Sequence, residues 1–134
     1  MGRHVICRAE ALQPGFVLIV EAEKRSIGIF NIRGDFYALR NTCPHKGAPL
    51  CRGIITGLTV SDAPLHIHMT REGEIVRCPW HGWEFDITTG HSVYNPHRMR
   101  VKTYDVAVEQ MAEDDPSVET FSVQVEEEFV VLYI

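Results

Sequence analysis

Cys43-Pro44-His45-Lys46-Gly47-Ala48-Pro49-Leu50 and Cys78-Pro79-Trp80-His81-Gly82-Trp83-Glu84-Phe85-Asp86 are the two stretches whose reading decides the fold. Each pairs a thiolate donor with an imidazole donor. One residue separates the pair in the first stretch and two in the second. Neither follows the zinc-finger order of two Cys and then two His. Two mixed clips suit a centre in which Cys binds one metal ion and His binds the other. Pro44 and Pro79 fix φ just after each Cys and remove a backbone donor. Gly47 and Gly82 permit a tight loop with its backbone close to a bound group, leaving the other N–H groups to point at sulfur.

Cys-x-His followed by Cys-x-x-His, each trailed by Gly, resembles the Rieske 2Fe–2S family. The resemblance extends over nearly the whole chain, although only the two loops are specific. It implies that Cys43 and Cys78 bind one iron as thiolates, and that His45 and His81 bind the other as neutral imidazoles. It also implies an all-β Rieske fold, with antiparallel sheets and an inserted cluster-binding subdomain. That subdomain would cover about 42–95, with the base formed by 1–41 and 96–134, all within one domain. Two neutral ligands in place of two thiolates lower the negative charge of the centre and raise its potential to roughly −150 to +300 mV. High-potential members of the family carry an additional Cys in each loop, where this chain has Ala48 and Trp80. They also carry hydroxyls where this chain has Trp83 and Phe85. Fewer hydrogen bonds to sulfur predict a low-potential centre near about −150 mV.

Strand-like runs fill the remainder, separated by turn residues. They are Val5–Cys7, Phe16–Val20, Ser26–Ile32, Asp35–Arg40, Ile75–Arg77, Glu84–Ile87, His91–Tyr94 and Val101–Glu109. Arg33-Gly34 reads as a hairpin turn. Met111–Ser117 reads as a loop. Glu119–Val125 and Phe129–Ile134 read as a last hairpin around Glu126-Glu127-Glu128. Little reads as helix, so an all-β sandwich or barrel is expected. The spacing between His45 and Cys78 (positions 46–77) is longer than in the compact ferredoxins of the family, and Thr56–Arg71 accounts for the excess. Within it, Pro64–Thr70 alternates, as an extra hairpin strand would. His66 and His68 then face one side and Leu65, Ile67 and Met69 the other. Two imidazoles so placed can share a metal, although a polar strand face is the commoner outcome.

A chain of 134 residues suits one domain with a real core. Its net charge of −5 argues against nucleic acid as a partner. No apolar run approaches the about 20 residues of a membrane helix. The start of the chain shows no targeting core. The acidic groups Glu113-Asp114-Asp115 and Glu126-Glu127-Glu128 read as a solvated loop and turn, or as a patch steering a redox partner. Cys7 and Cys51 are not needed by the motif and read as buried or free thiols, which favours a reducing, cytoplasmic setting. Trp80, Trp83 and Phe85 are expected to wall the centre off from water, with Trp83 in the core. Lys46 and Arg52 add local positive charge or are simply exposed. His4, His91 and His97 read as exposed or hydrogen-bonded side chains.

No nucleotide-binding fingerprint is present, and the length leaves no room for a mononuclear-iron catalytic domain. The resemblance therefore implies a ferredoxin, a soluble one-electron carrier that takes electrons from a reductase to an oxygenase. On this reading the chain is an electron-transfer component rather than a stand-alone catalyst. One alternative is a free-standing Rieske subunit of an oxidoreductase complex, of the oxygenase or nitrite reductase small-subunit type. Another is a zinc-binding structural module, for which Cys₂His₂ is chemically competent. The duplicated Gly-bearing flanks favour the 2Fe–2S cluster over zinc.

Overall fold

A computed structural model describes residues 2–44, 47–80, 82–95, 97–114 and 124–134. Nine strands follow one another: β1 (Arg3–Arg8), β2 (Val17–Ala22), β3 (Arg25–Ile32), β4 (Asp35–Arg40), β5 (Ile54–Ala63), β6 (His66–Arg77), β7 (Glu84–Asp86), β8 (Thr103–Asp114) and β9 (Gln124–Tyr133). Two short 3₁₀ turns, Ala9–Ala11 and Leu50–Arg52, complete the regular structure. No α-helix occurs among the described residues, so the all-β expectation holds. A six-stranded sheet runs β1-β9-β8-β4-β3-β2, and a three-stranded sheet runs β5-β6-β7. Every paired strand is antiparallel.

The base sheet grows from two tight hairpins. Arg33 and Gly34 both adopt positive φ, as a two-residue turn matched to strand twist requires. Glu23 and Lys24 do the same between β2 and β3 without any Asn or Gly to announce it. Pairing of β2 with β3 from Val17–Phe30 to Ala22–Arg25 imposes that turn from outside.

β3 is buried on both faces, so it reads as a continuous apolar run rather than an alternating one. Ile27 and Ile29 face a core shared with Leu12, Ala38, Val130 and Leu132. Phe30 and Ile32 face a second core shared with Cys43, Leu50, Cys51, Val76, Cys78 and Phe85. One strand thus seats the segment bearing the two Cys loops on the base sheet. The contact is close. A Cβ added at Gly28 would lie 2.5 Å from Cys51 Sγ and 2.6 Å from Cys51 Cβ.

Several sequence expectations need correction. Glu126-Glu127-Glu128 is not a turn. It lies inside β9, opposite Ala112, Met111 and Gln110. β9 sits between β1 and β8, and Arg8 Nε meets Glu127 Oε2 at 2.7 Å, so the strand accommodates its acidic run. Met111–Asp114, expected in a loop, continues β8. The rest of that loop and most of Glu119–Val125 fall at 115–123, outside the described residues. His91–Tyr94 forms only isolated bridges, Phe85 with Ser92 and His91 with Arg100. The excess length of Thr56–Arg71 is the greater part of a long β5–β6 hairpin whose turn is Pro64-Leu65.

Replacing Gly28 by Ala is expected to lower folding stability by about 1–3 kcal/mol, because the new methyl overpacks a buried thiol. Urea unfolding of the variant checks this. An unchanged midpoint would mean that β3 and the Leu50–Arg52 turn separate freely.

Candidate metal centre

The two Cys loops share one backbone pattern. Cys43 N–H donates to the Ala48 carbonyl at 2.7 Å, and Gly47 N–H donates to the Cys43 carbonyl at 2.7 Å. Cys78 N–H donates to the Trp83 carbonyl at 2.7 Å, and Gly82 N–H donates to the Cys78 carbonyl at 3.0 Å. Both glycines sit at positive φ, 77° and 72°, where a side chain costs about 1 kcal/mol or more. Among the described residues nothing lies within 4 Å of a Cβ placed at Gly47. Each loop is therefore a five-residue Cys-Pro-x-x-Gly turn closed on its own Cys. These four N–H groups serve the turns.

Cys43 and Cys78 are 1% and 2% exposed and belong to the same apolar core. Neither is in a disulfide, and nor is Cys7 or Cys51. His45 and His81, the other two expected ligands, and Lys46 lie outside the described residues. Two buried thiols on duplicated turns, with a histidine within each turn's sequence, fit the donor set of a mixed Cys/His cluster.

Two further contacts fix the loops, and the sequence did not announce them. Gly53, just past the first loop, lies so close to the strand before the second that a Cβ would be 1.8 Å from the Arg77 carbonyl oxygen. Asn41, just before the first loop, accepts the Cys51 N–H on Oδ1 at 2.8 Å and donates from Nδ2 to Ser26 Oγ at 3.1 Å. Cys51 itself is fully buried, and burial pushes its thiol up to about 12. It is a packing residue, not a reactive one. Half-buried Cys7 is also raised by burial.

The second loop is braced by charge. Arg77 and Glu84, paired across β6 and β7, meet at 3.3 Å on either side of it. Behind it, Arg71 bonds Asp86 at 2.8 Å and Glu74 at 3.0 Å. Arg33, from the β3–β4 turn, reaches the Glu72 carbonyl and the Glu74 carboxylate. Burial alone would raise Asp86, but hydrogen bonds from Thr88 and Arg71 outweigh it and hold the carboxyl below its ordinary value.

Of the three aromatic residues expected to shield the centre, Phe85 is fully buried in the core that contains both Cys. Trp83 packs against that core and meets Tyr94 edge-on, with centroids 6.1 Å apart. Trp80 is 59% exposed. Its turn is closed by backbone bonds, which leaves the indole free to stand outward. Arg52 is exposed. His4 bonds Glu23 at 2.7 Å, His91 is partly buried and His97 is exposed, as expected of non-ligands.

Comparison with known proteins agrees with this construction. The model of the Rieske [2Fe-2S] domain matches residues 2–105. The chain belongs to the Rieske [2Fe-2S] family, whose cofactor is a Rieske-type 2Fe–2S cluster. The naphthalene 1,2-dioxygenase system ferredoxin component of Pseudomonas aeruginosa is 30% identical over 95 residues, which are 71% of this chain and 76% of that protein. The ferredoxin of carbazole 1,9a-dioxygenase from Nocardioides aromaticivorans superposes with a TM-score of 0.63 at 22% identity, covering 97% of both chains. A Mycobacterium tuberculosis protein assigned as an NADH-dependent nitrite reductase small subunit gives 0.61 at 20% identity, covering 99% of this chain and 96% of that one. At such identities the two superpositions show the fold alone.

The depressed Asp86 carboxyl predicts a pH dependence. Its folded-state value lies below the unfolded one, so its contribution is present above the ordinary carboxylate range and is lost as pH falls through the folded value. Wild-type stability is expected to fall between about pH 5 and pH 2, more steeply than that of Asp86→Asn. Denaturant titrations at several pH values test this, and parallel curves would remove Asp86 from the account.

Proposed function

We propose that this chain is a Rieske-type ferredoxin, a one-electron carrier serving an oxygenase, with Cys43 and Cys78 on one iron and His45 and His81 on the other. The observation that carries the reading is the pair of identically closed Cys-Pro-x-x-Gly turns whose Cys share one buried core. When bound, the cluster supplies reversible one-electron chemistry. The protein's part is to hold two thiols dry and to keep the two turns in fixed register through Gly53 and Arg77. The similarity to a dioxygenase-system ferredoxin supports a reductase as electron donor and an oxygenase as acceptor. Among the described residues no helix is long and apolar enough to cross a membrane. We read the carrier as cytoplasmic, supported by four cysteines outside disulfides.

The fold alone also fits a nitrite reductase small subunit. The complete set of two Cys and two His favours the redox-active reading over a purely structural subunit, and the duplicated Gly-bearing turns favour it over zinc.

The expected potential is low. Phe85 is buried in the core that holds both Cys, and it has no hydroxyl to offer sulfur. Trp83 has none either. Protein film voltammetry is expected to give a reversible one-electron wave near about −150 mV. Phe85→Tyr is expected to raise it by on the order of tens of millivolts, because a hydroxyl donor stabilises the reduced cluster. A wild-type midpoint above about +100 mV would overturn the low-potential assignment. Cys43→Ser, Cys78→Ser, His45→Ala and His81→Ala should each abolish the reddish-brown chromophore. A variant that keeps it with an unchanged wave would remove that residue from the ligand set.

A further inference from the structure

Beyond the metal centre, the β5–β6 hairpin continues into an arm, and the break between its two parts is sharp. Thr56 pairs with Ile75, but Leu58 pairs with Thr70, so Gly57 on β5 stands against Arg71–Glu74 on β6. Arg71 and Gly73 take positive φ within this bulge, and Arg71 is tied there to Glu74 and Asp86. Past the bulge, Leu58–Ala63 pairs with His66–Thr70, and residues 66–70 are all exposed. Strand alternation puts His66 and His68 on one face, with Ala63 and Val60 as their cross-strand partners. Their ring centroids are 5.8 Å apart and the planes are tilted by 48°.

We propose that His66 and His68 form a second, surface binding site for a divalent transition-metal ion that prefers imidazole, Zn²⁺ or Cu²⁺. The geometry is close to what a shared ion needs. Imidazole nitrogens at about 2.0–2.1 Å from one ion place the ring centroids roughly 5 Å apart at a tetrahedral angle. A modest side-chain rotation from 5.8 Å reaches that, and exposure leaves both rings room to make it. Leu58–Thr70 contains no Lys or Arg, and its one formally charged residue, Asp62, is acidic, so the sequence of the arm sets no cation against a bound cation. Imidazole nitrogen selects borderline ions; Ca²⁺ and Mg²⁺ prefer oxygen. Two protein nitrogens leave the remaining positions to water. His68 precedes Cys78 by ten positions on and just past β6 (78 − 68), which is on the order of 20–30 Å along a bulged strand. Occupying the arm therefore leaves the cluster ligands alone.

The test is calorimetric titration of the cluster-loaded protein with Zn²⁺, read beside its visible spectrum. Wild type is expected to bind one more Zn²⁺ equivalent than the double variant His66→Asn/His68→Asn. Each single variant should weaken that site at least tenfold, because the pair acts as a chelate. Ile67→Asn, on the opposite face, should leave it unchanged. An unaltered visible spectrum throughout shows that the metal centre and fold are intact. Equal Zn²⁺ binding by wild type and the double variant would overturn the proposal, as would loss of the site in Ile67→Asn alone.

Discussion

The contact between Gly28 and Cys51 is the constraint on which the architecture rests. β3 must bury both faces, and at Gly28 the absent side chain lets the turn after the first Cys loop lie flush on the strand. Cys51 fills that gap with a side chain small enough to fit and apolar enough to be buried. Asn41 then bonds the backbone of Cys51 and the side chain of Ser26, so the entrance and exit of the first loop are both fastened to the base. Removing a single methylene of clearance here would displace the loop that carries Cys43, not merely a surface turn.

From that seat the second loop is placed by main-chain contact, which the Arg77–Glu84 and Arg71–Asp86 pairs then brace. Gly53 abuts the Arg77 carbonyl, and Ile54 pairs with Arg77, so the residue leading into Cys78 is held against the residue leaving the first loop. Identical hydrogen-bond closure then gives both Cys the same local geometry. A binuclear centre needs this: donors from two distant parts of the chain, each rigid and at a fixed mutual distance. Rigidity comes from the fixed φ of Pro and from the two backbone hydrogen bonds that close each turn, so less conformational entropy remains to be lost when metal binds.

The two buried Cys and the positive-φ glycines of the loops were legible in the sequence because each answers a chemical or steric requirement, whereas His45 and His81 lie outside the described residues. No other side chain supplies thiolate or imidazole, and few tolerate positive φ. The Arg33-Gly34 turn was legible for the same reason. Gly53 and Gly28 were not, since their need arises from strands distant in sequence that only the fold brings together. The Glu23-Lys24 turn was hidden because strand pairing overrides its poor turn propensity. Glu126-Glu127-Glu128 misled for a related reason. Three adjacent carboxylates look like a turn, yet their backbone pairs along β8, and Arg8 on β1 meets Glu127 from the neighbouring strand. The acidic run is a consequence of strand pairing, not a break in it.

Topology also separates the ends of the molecule by function. Cys43 follows β4, whose Leu39 pairs with Thr103 at the start of β8. Glu113 lies ten positions farther along β8 (113 − 103), about 33 Å at strand rise. That range is several times the Debye length of about 8–10 Å, so a charge at Glu113 is largely screened at the Cys loops. A redox partner must approach where the electron leaves, at the loops. Among the described residues of those loops, Pro44, Gly47 and Trp80 are exposed and uncharged, and Trp80 immediately precedes His81 in sequence. An exposed aromatic beside a redox exit gives a partner apolar surface to cover at small entropic cost, since its two torsions are few to fix.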